Sequence, residues 1–301
     1  MKPSADHAIV AALLLLVASL WMPPLRLQRP VYDYMVTFDI TQSMDVEDVA
    51  LTGRPVSRLA LARAAMRETL RRLHCGSRIG WSVFADYRAV PLMLPVEVCG
   101  HYEELLASLD AIDGRMRWAN ASNIGRGLGW VLRSSKQIQE RVDIVFITDG
   151  QEAPPLRGAE LPSMSGITPG EIRGWVIGVG GLLPARIPRT DAEGKAVGYW
   201  EAGDVAQRFD GTGHEELSEL REPHLQVLAR AMGLGYRRLA DEHALADAML
   251  DARFGREAPV EVDARWMPAL MALVLLAWRF RPALSRPCAS ASSGPARGSR
   301  G

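Results

Sequence analysis

Between residues 31 and 264, short runs of almost uninterrupted apolar residues alternate with segments whose apolar residues recur every third or fourth position. The first pattern is that of a strand buried on both faces, the second that of an amphipathic helix. Strands are predicted over 35–40, 142–148, 173–179 and 236–239. Helices are predicted over 58–73, 101–112, 124–134, 221–232 and 242–253. The 58–73 helix follows Ser57, a good N-cap, and repeats Leu59, Ala62, Met66, Leu70 and Leu73 on one face. A hairpin, 79–84 with 90–94, sits between the first two helices. Apolar strands alternating with helices predict an α/β fold, a doubly wound and mostly parallel sheet covered on both faces. Two connections are long, 151–172 and 180–219. Loops of that length in a compact domain are usually functional or ligand-facing.

The chain ends break this pattern. Residues 8–22 contain one polar residue, Ser19, and 266–278 contain none. As helices they reach only roughly 20–23 Å, short of a hydrocarbon core of about 30 Å. Flanking Trp21, Trp266 and Trp278 and nearby arginines extend that reach by sitting at the interface. The expected organisation is therefore a membrane anchor or cleaved signal over 1–30, a body over 31–255, a transmembrane helix over 265–281, and a disordered basic tail over 282–301. Five arginines after Trp278 place that tail in the cytoplasm and the body outside it. Arg26 and Arg29 run against this orientation.

Charge sharpens the division. The chain has 35 basic and 35 acidic residues, and nine of the basic ones but only one acid lie in 1–30 and 265–301. The body is left with 26 basic and 34 acidic residues. An acidic body argues against nucleic acid as a partner. If Phe84 faces Val90 in the hairpin, continuing that register outward sets Cys75 opposite Cys99. A disulfide there would suit an oxidising compartment; two separate buried thiols are the alternative.

The chemistry-bearing residues lie where the strands end. Ligands in a doubly wound sheet bind outside the carboxyl ends of the strands. The first strand runs into Asp39-Ile-Thr41-Gln-Ser43, one carboxylate and two hydroxyls on one turn. Asp149 follows the 142–148 strand, and Ser122 precedes the 124–134 helix. All are hard oxygen donors, suited to Mg²⁺, with Ca²⁺ or Mn²⁺ as alternatives. Alone, either aspartate reads equally well as a helix or loop cap.

Taken together, over roughly 31–250, these motifs resemble the von Willebrand factor A (VWA) domain with its metal-ion-dependent adhesion site. That family carries Asp-x-Ser-x-Ser on one loop, Thr on a second and Asp on a third. Here Thr41 stands for the first Ser and Ser122 for the Thr, so every hydroxyl is kept. The segment 187–200, followed by the 223–232 helix, is similar to membrane-flanked bacterial VWA proteins associated with MoxR-type AAA+ ATPases, including accessory proteins of methanol oxidation. The resemblance implies a non-catalytic binder in a bacterial inner membrane, its VWA domain in the periplasm. It also implies a partner protein supplying an acidic residue to the metal at Asp39, Thr41, Ser43, Ser122 and Asp149. Gln42 and Gln151, beside the site, are expected to touch that partner. Other VWA membrane proteins and the ATPase are further expected partners, and assembly or metallation of a periplasmic enzyme is the expected role.

The rivals are a metal-dependent hydrolase and a metal-free scaffold. No Gly-x-Ser-x-Gly elbow, P-loop or zinc-ligand spacing is present. Glu103-Glu104 and Glu215-Glu216 read as solvated helix charges.

Overall fold

A computed structural model describes residues 5–138, 141–156, 165–191, 193–208 and 213–280. Among them the helices are α1 (Ala5–Trp21), α2 (Arg58–Arg72), α3 (Tyr102–Ala111), α4 (Ile124–Ser135), α5 (Glu222–Met232), α6 (Ala244–Met249) and α7 (Trp266–Arg279). The strands are β1 (Leu25–Val31), β2 (Asp33–Asp39), β3 (Val49–Leu51), β4 (Arg54–Val56), β5 (Arg78–Ala85), β6 (Arg88–Glu97) and β7 (Asp143–Thr148). They continue with β8 (Gly174–Gly178), β9 (Ala185–Arg186), β10 (Pro188–Thr190), β11 (Ala196–Tyr199), β12 (Leu217–Ser218), β13 (Gly235–Arg238) and β14 (Arg256–Val262). The chain divides into a body, Gln28–Val260, and a unit built from the two ends.

In the body, the main sheet has the order β13-β8-β7-β2-β5-β6. Every neighbouring pair is parallel except β5 and β6. The strands read as continuous apolar runs because each serves two cores. On β7, Val145 and Ile147 enter the core formed with Leu59 of α2, Leu105 of α3 and Leu245 of α6. Ile144 and Phe146 enter the opposite core, with Leu128 of α4 and Leu225 of α5. Burying a side chain of this size contributes roughly 1.5–3 kcal/mol. The chain leaves β2 toward β5 on one side and returns to β7 on the other. The carboxyl ends of β2 and β7 thus flank the point where the winding reverses.

Local sequence fixes the helix positions. Ser57 Oγ accepts the Ala60 N–H at 3.2 Å at the start of α2, and Asn123 Oδ1 accepts the Arg126 N–H at 3.0 Å at the start of α4. Gly127 lets α4 lie directly on Phe84 of β5: a Cβ there would sit 2.0 Å from the ring. In the β5–β6 hairpin, Phe84 faces Ala89 and Val90 faces Val83, one residue away from the expected register. Irregularities between Ile79 and Ser82 shift the pairing back outward, so Arg78 meets Glu97. Beyond the strands the Cys75 and Cys99 sulfurs are bonded at 2.01 Å.

The sequence pattern does not announce the small ribbons β3–β4, β9–β12, β10–β11 and β1–β14. Most of these strands are two to four residues long. Two of these ribbons lie within the long 180–219 connection.

In the second unit α1 and α7 pack on each other. Their buried residues are small: Ala8, Ala12 and Ser19 on α1, Ala272 on α7. Their large apolar residues point outward, with Leu13 60 % and Leu273 61 % exposed. The flanking transmembrane helices expected from sequence are not found: among the described residues no helix is long and apolar enough to cross a membrane. α1 stops at 17 residues, before Pro23-Pro24, and α7 has 14, giving roughly 26 and 21 Å. The expected basic tail lies outside the described residues.

Candidate metal site

Asp39 is the last residue of β2, the strand beside β7. Their register sets Phe38 against Ile147. The next pair in line is Asp39 and Thr148, and Thr148 donates its hydroxyl to Asp39 Oδ2 at 2.6 Å. The chain then turns. The Thr41 N–H and hydroxyl both donate to Asp39 Oδ1, at 2.9 and 2.7 Å, and Thr41 Oγ1 lies 3.2 Å from Ser43 Oγ. A short 3-10 turn, Gln42–Asp45, follows. The Asp-x-Thr-x-Ser spacing therefore gathers three oxygen-bearing side chains around one backbone turn.

Ser122 arrives from a different loop and is clamped on both sides. It exchanges backbone hydrogen bonds with Ala153, at 2.8 and 2.7 Å, and forms a bridge with Asp86. Three loops, after β5, before α4 and after β7, are thereby tied into one rim. Ser122 is buried, and its Oγ has no hydrogen-bond partner among the described residues. A buried hydroxyl without a partner is uncommon, because its desolvation is uncompensated.

The two aspartates are treated differently. Asp149 is fully buried and paired with an equally buried guanidinium: Arg58 Nη1 donates to Asp149 Oδ2 at 2.6 Å. Arg58 also holds Asp48 through Nε at 3.0 Å and Nη2 at 2.5 Å, and donates to the Ser218 hydroxyl and carbonyl. Asp149 Oδ1 accepts the Gln151 N–H at 2.9 Å. Asp39, also fully buried, makes no ion pair among the described residues. Its hydrogen-bond donors are neutral. Burial, and then the charge of Asp149, push its carboxyl up to about 7, against the opposing hydrogen bonds from Thr148 and Thr41.

This donor set fits a hard divalent cation. Asp39, Thr41, Ser43 and Ser122 supply oxygens only, and a cation among them would answer both the unpaired carboxylate and the unpartnered Ser122 hydroxyl. With Asp39 the one carboxylate among these four, such a cation and its ligands would together keep a net positive charge toward an incoming anion.

Every metal-ligand residue predicted from sequence lies in this region, though Asp149 is held by Arg58. Gln42 and Gln151 are buried and engaged within the chain. The Gln42 amide oxygen accepts the Trp200 indole N–H, and Gln151 Nε2 donates to Glu215 Oε2 at 2.9 Å. Glu215 is not a solvated helix charge. It lies outside any helix, buried, and also accepts Arg208 Nε at 2.7 Å. Sequence reasoning missed Arg58, Asp48, Ser218 and Thr148. Only Thr148 had a local signal, its place beside Asp149.

No family profile and no curated protein matches the chain. Solved structures do. An aerotolerance-related membrane protein from Bacteroides fragilis, bearing multiple mutations to serine, aligns with a TM-score of 0.50 and 23 % identity, over 72 % of this chain and 96 % of that one. A VWA domain from Catenulispora acidiphila aligns at 0.40 and 14 % identity, over 82 % and 50 %. The ArnB paralog VWA2 from Sulfolobus acidocaldarius aligns at 0.40 and 13 % identity, over 74 % and 45 %. The chain has a mixed α/β body with a mostly parallel central sheet, a fold it shares with the Bacteroides fragilis protein.

Proposed function

We propose that the chain is a membrane-attached VWA protein that binds a partner through a divalent cation, Mg²⁺ first among the candidates. The observation that carries this reading is Asp39: a fully buried carboxylate with neutral donors only, on the loop whose Thr41 and Ser43 share a cleft with Ser122, a buried hydroxyl that has no partner among the described residues. Buried charges are normally paired or coordinate metals. Asp39, Thr41, Ser43 and Ser122 would hold the ion, with Asp149 oriented behind them by Arg58. A carboxylate from the partner completes its shell, so the role is adhesion rather than catalysis.

The apolar outer faces of α1 and α7, with Trp21 and Trp266 exposed, support attachment to a membrane. The Cys75–Cys99 bond supports a body on the oxidising, periplasmic side. The similarity to an aerotolerance-related membrane protein agrees with this setting. A MoxR-type ATPase, other VWA membrane proteins and the metallation of a periplasmic enzyme rest on the sequence resemblance.

Isothermal titration of the full chain with Mg²⁺ tests the reading. The wild type is expected to bind one ion, Asp39→Asn none, and Ser122→Ala roughly 10- to 100-fold more weakly. A wild type that takes up no Mg²⁺, Ca²⁺ or Mn²⁺ would leave a metal-free scaffold. Ester or phosphate hydrolysis that requires metal and vanishes in Asp39→Asn would favour the hydrolase.

A further inference from the structure

The metal site opens into a cleft of about 420 Å³, a size that suits a small ligand or one or two side chains. Thr41, Ser43 and Ser122 line it, and so do Pro154, Pro155, Ile187, Trp200, Val205 and Ala206. The last four belong to the 180–219 connection. That segment is pinned to the site: the Trp200 indole donates to Gln42 on the Asp39 loop, and Glu215 holds Gln151 beside Asp149. The cleft is therefore a built part of the body.

Two of its three carboxylates, Glu152 and Glu215, are committed within the fold, and the third, Asp204, is exposed and held only loosely. Glu152 accepts the Ile124 N–H at 3.1 Å at the start of α4 and lies 2.9 Å from His224 Nε2. Glu215 is held by Arg208 and Gln151. Asp204 lies 3.8 Å from Arg189 Nη1 and accepts the Glu201 N–H at 3.4 Å. On the adhesion-site reading, the carboxylate that completes the shell of an ion at Ser122 and Ser43 comes from outside. The cleft walls beside it are mostly apolar. A flat protein face does not enter such a space; a protruding segment does.

Resting on the adhesion-site reading, we propose that the cleft selects a protruding peptide segment in which an acidic residue stands beside a large apolar one. The carboxylate meets the cation, and the apolar neighbour packs against Trp200, Ile187 and Val205. The 180–219 connection is then the specificity element, and Trp200 its principal contact.

Titration of the full chain, at Mg²⁺ concentrations that saturate each variant by its own titration, tests this with acetyl-Leu-Asp-Leu-amide, acetyl-Gly-Asp-Gly-amide and isovalerate. The leucine peptide is expected to bind the wild type at least about tenfold more tightly than the glycine peptide, and both are expected to fail in EDTA. Trp200→Ala is expected to bring the two peptides within about twofold of each other, and Val205→Trp, which fills the cleft, to weaken the leucine peptide. Equal binding of both peptides by wild type overturns the proposal, as does full discrimination by Trp200→Ala. Isovalerate matching the leucine peptide overturns the peptide assignment in favour of a free carboxylate. A wild type that takes up no metal overturns the adhesion reading itself, and this inference with it.

Discussion

Arg58 decides how the two buried aspartates differ. It sits at the first turn of α2, fully buried, and spans Asp48, Asp149 and Ser218. Removing one partner from a buried ion pair leaves an uncompensated charge, which costs roughly 3–5 kcal/mol. Arg58→Met is therefore expected to lower unfolding stability by that amount in denaturant titrations; a loss below about 1 kcal/mol would mean the triad is dispensable. Legibility follows from range. Asp39, Thr41 and Ser43 stand out because their chemistry is local, a fixed spacing after an apolar strand. Arg58 does not, because its partners lie 10, 91 and 160 positions away and its neighbours read as an ordinary amphipathic helix. Glu215 was misread for the same reason: two adjacent glutamates look solvated until a distant arginine and glutamine are brought to one of them.

At the scale of elements, the fit of α4 on β5 rests on Gly127. Alanine normally improves a helix interior by up to about 1 kcal/mol over glycine. Here its Cβ would meet the Phe84 ring at 2.0 Å, and forcing extra volume into a packed core costs about 1–3 kcal/mol. Gly127→Ala is accordingly expected to be net destabilising by thermal melting, and Phe84→Leu in the same chain to recover part of the loss. A more stable single variant would show that the helix moves freely. The main-sheet strands were readable because burial on both faces makes them long and apolar. Their alternation between two cores was not, since both faces look alike in sequence. Strands β9 to β12 carried no signal, being too short for periodicity to register.

At the scale of the molecule, the apolar ends and their shortness as helices were both plain in the sequence. α1 and α7 expose Leu13, Leu14, Leu270 and Leu273 to their surroundings. Flotation with liposomes of phosphatidylethanolamine and phosphatidylglycerol is expected to carry the full chain upward, and Leu13→Arg with Leu273→Arg to leave most of it behind. Equal flotation of both proteins would remove the helix pair as the point of attachment. The body holds a different kind of freedom. The 180–219 connection leaves and rejoins the fold at one spot, where the Leu220 N–H donates to the Gly181 carbonyl at 2.8 Å and the Gly181 N–H to Asp48 at 2.9 Å. β8 and α5 are thus stitched together whatever hangs between them. The segment is an anchored cartridge: Trp200, Glu215 and Ser218 tie it to the loops around the ion's seat, and the stretches between those anchors are where a change of length or composition is expected to retune what the protein grips.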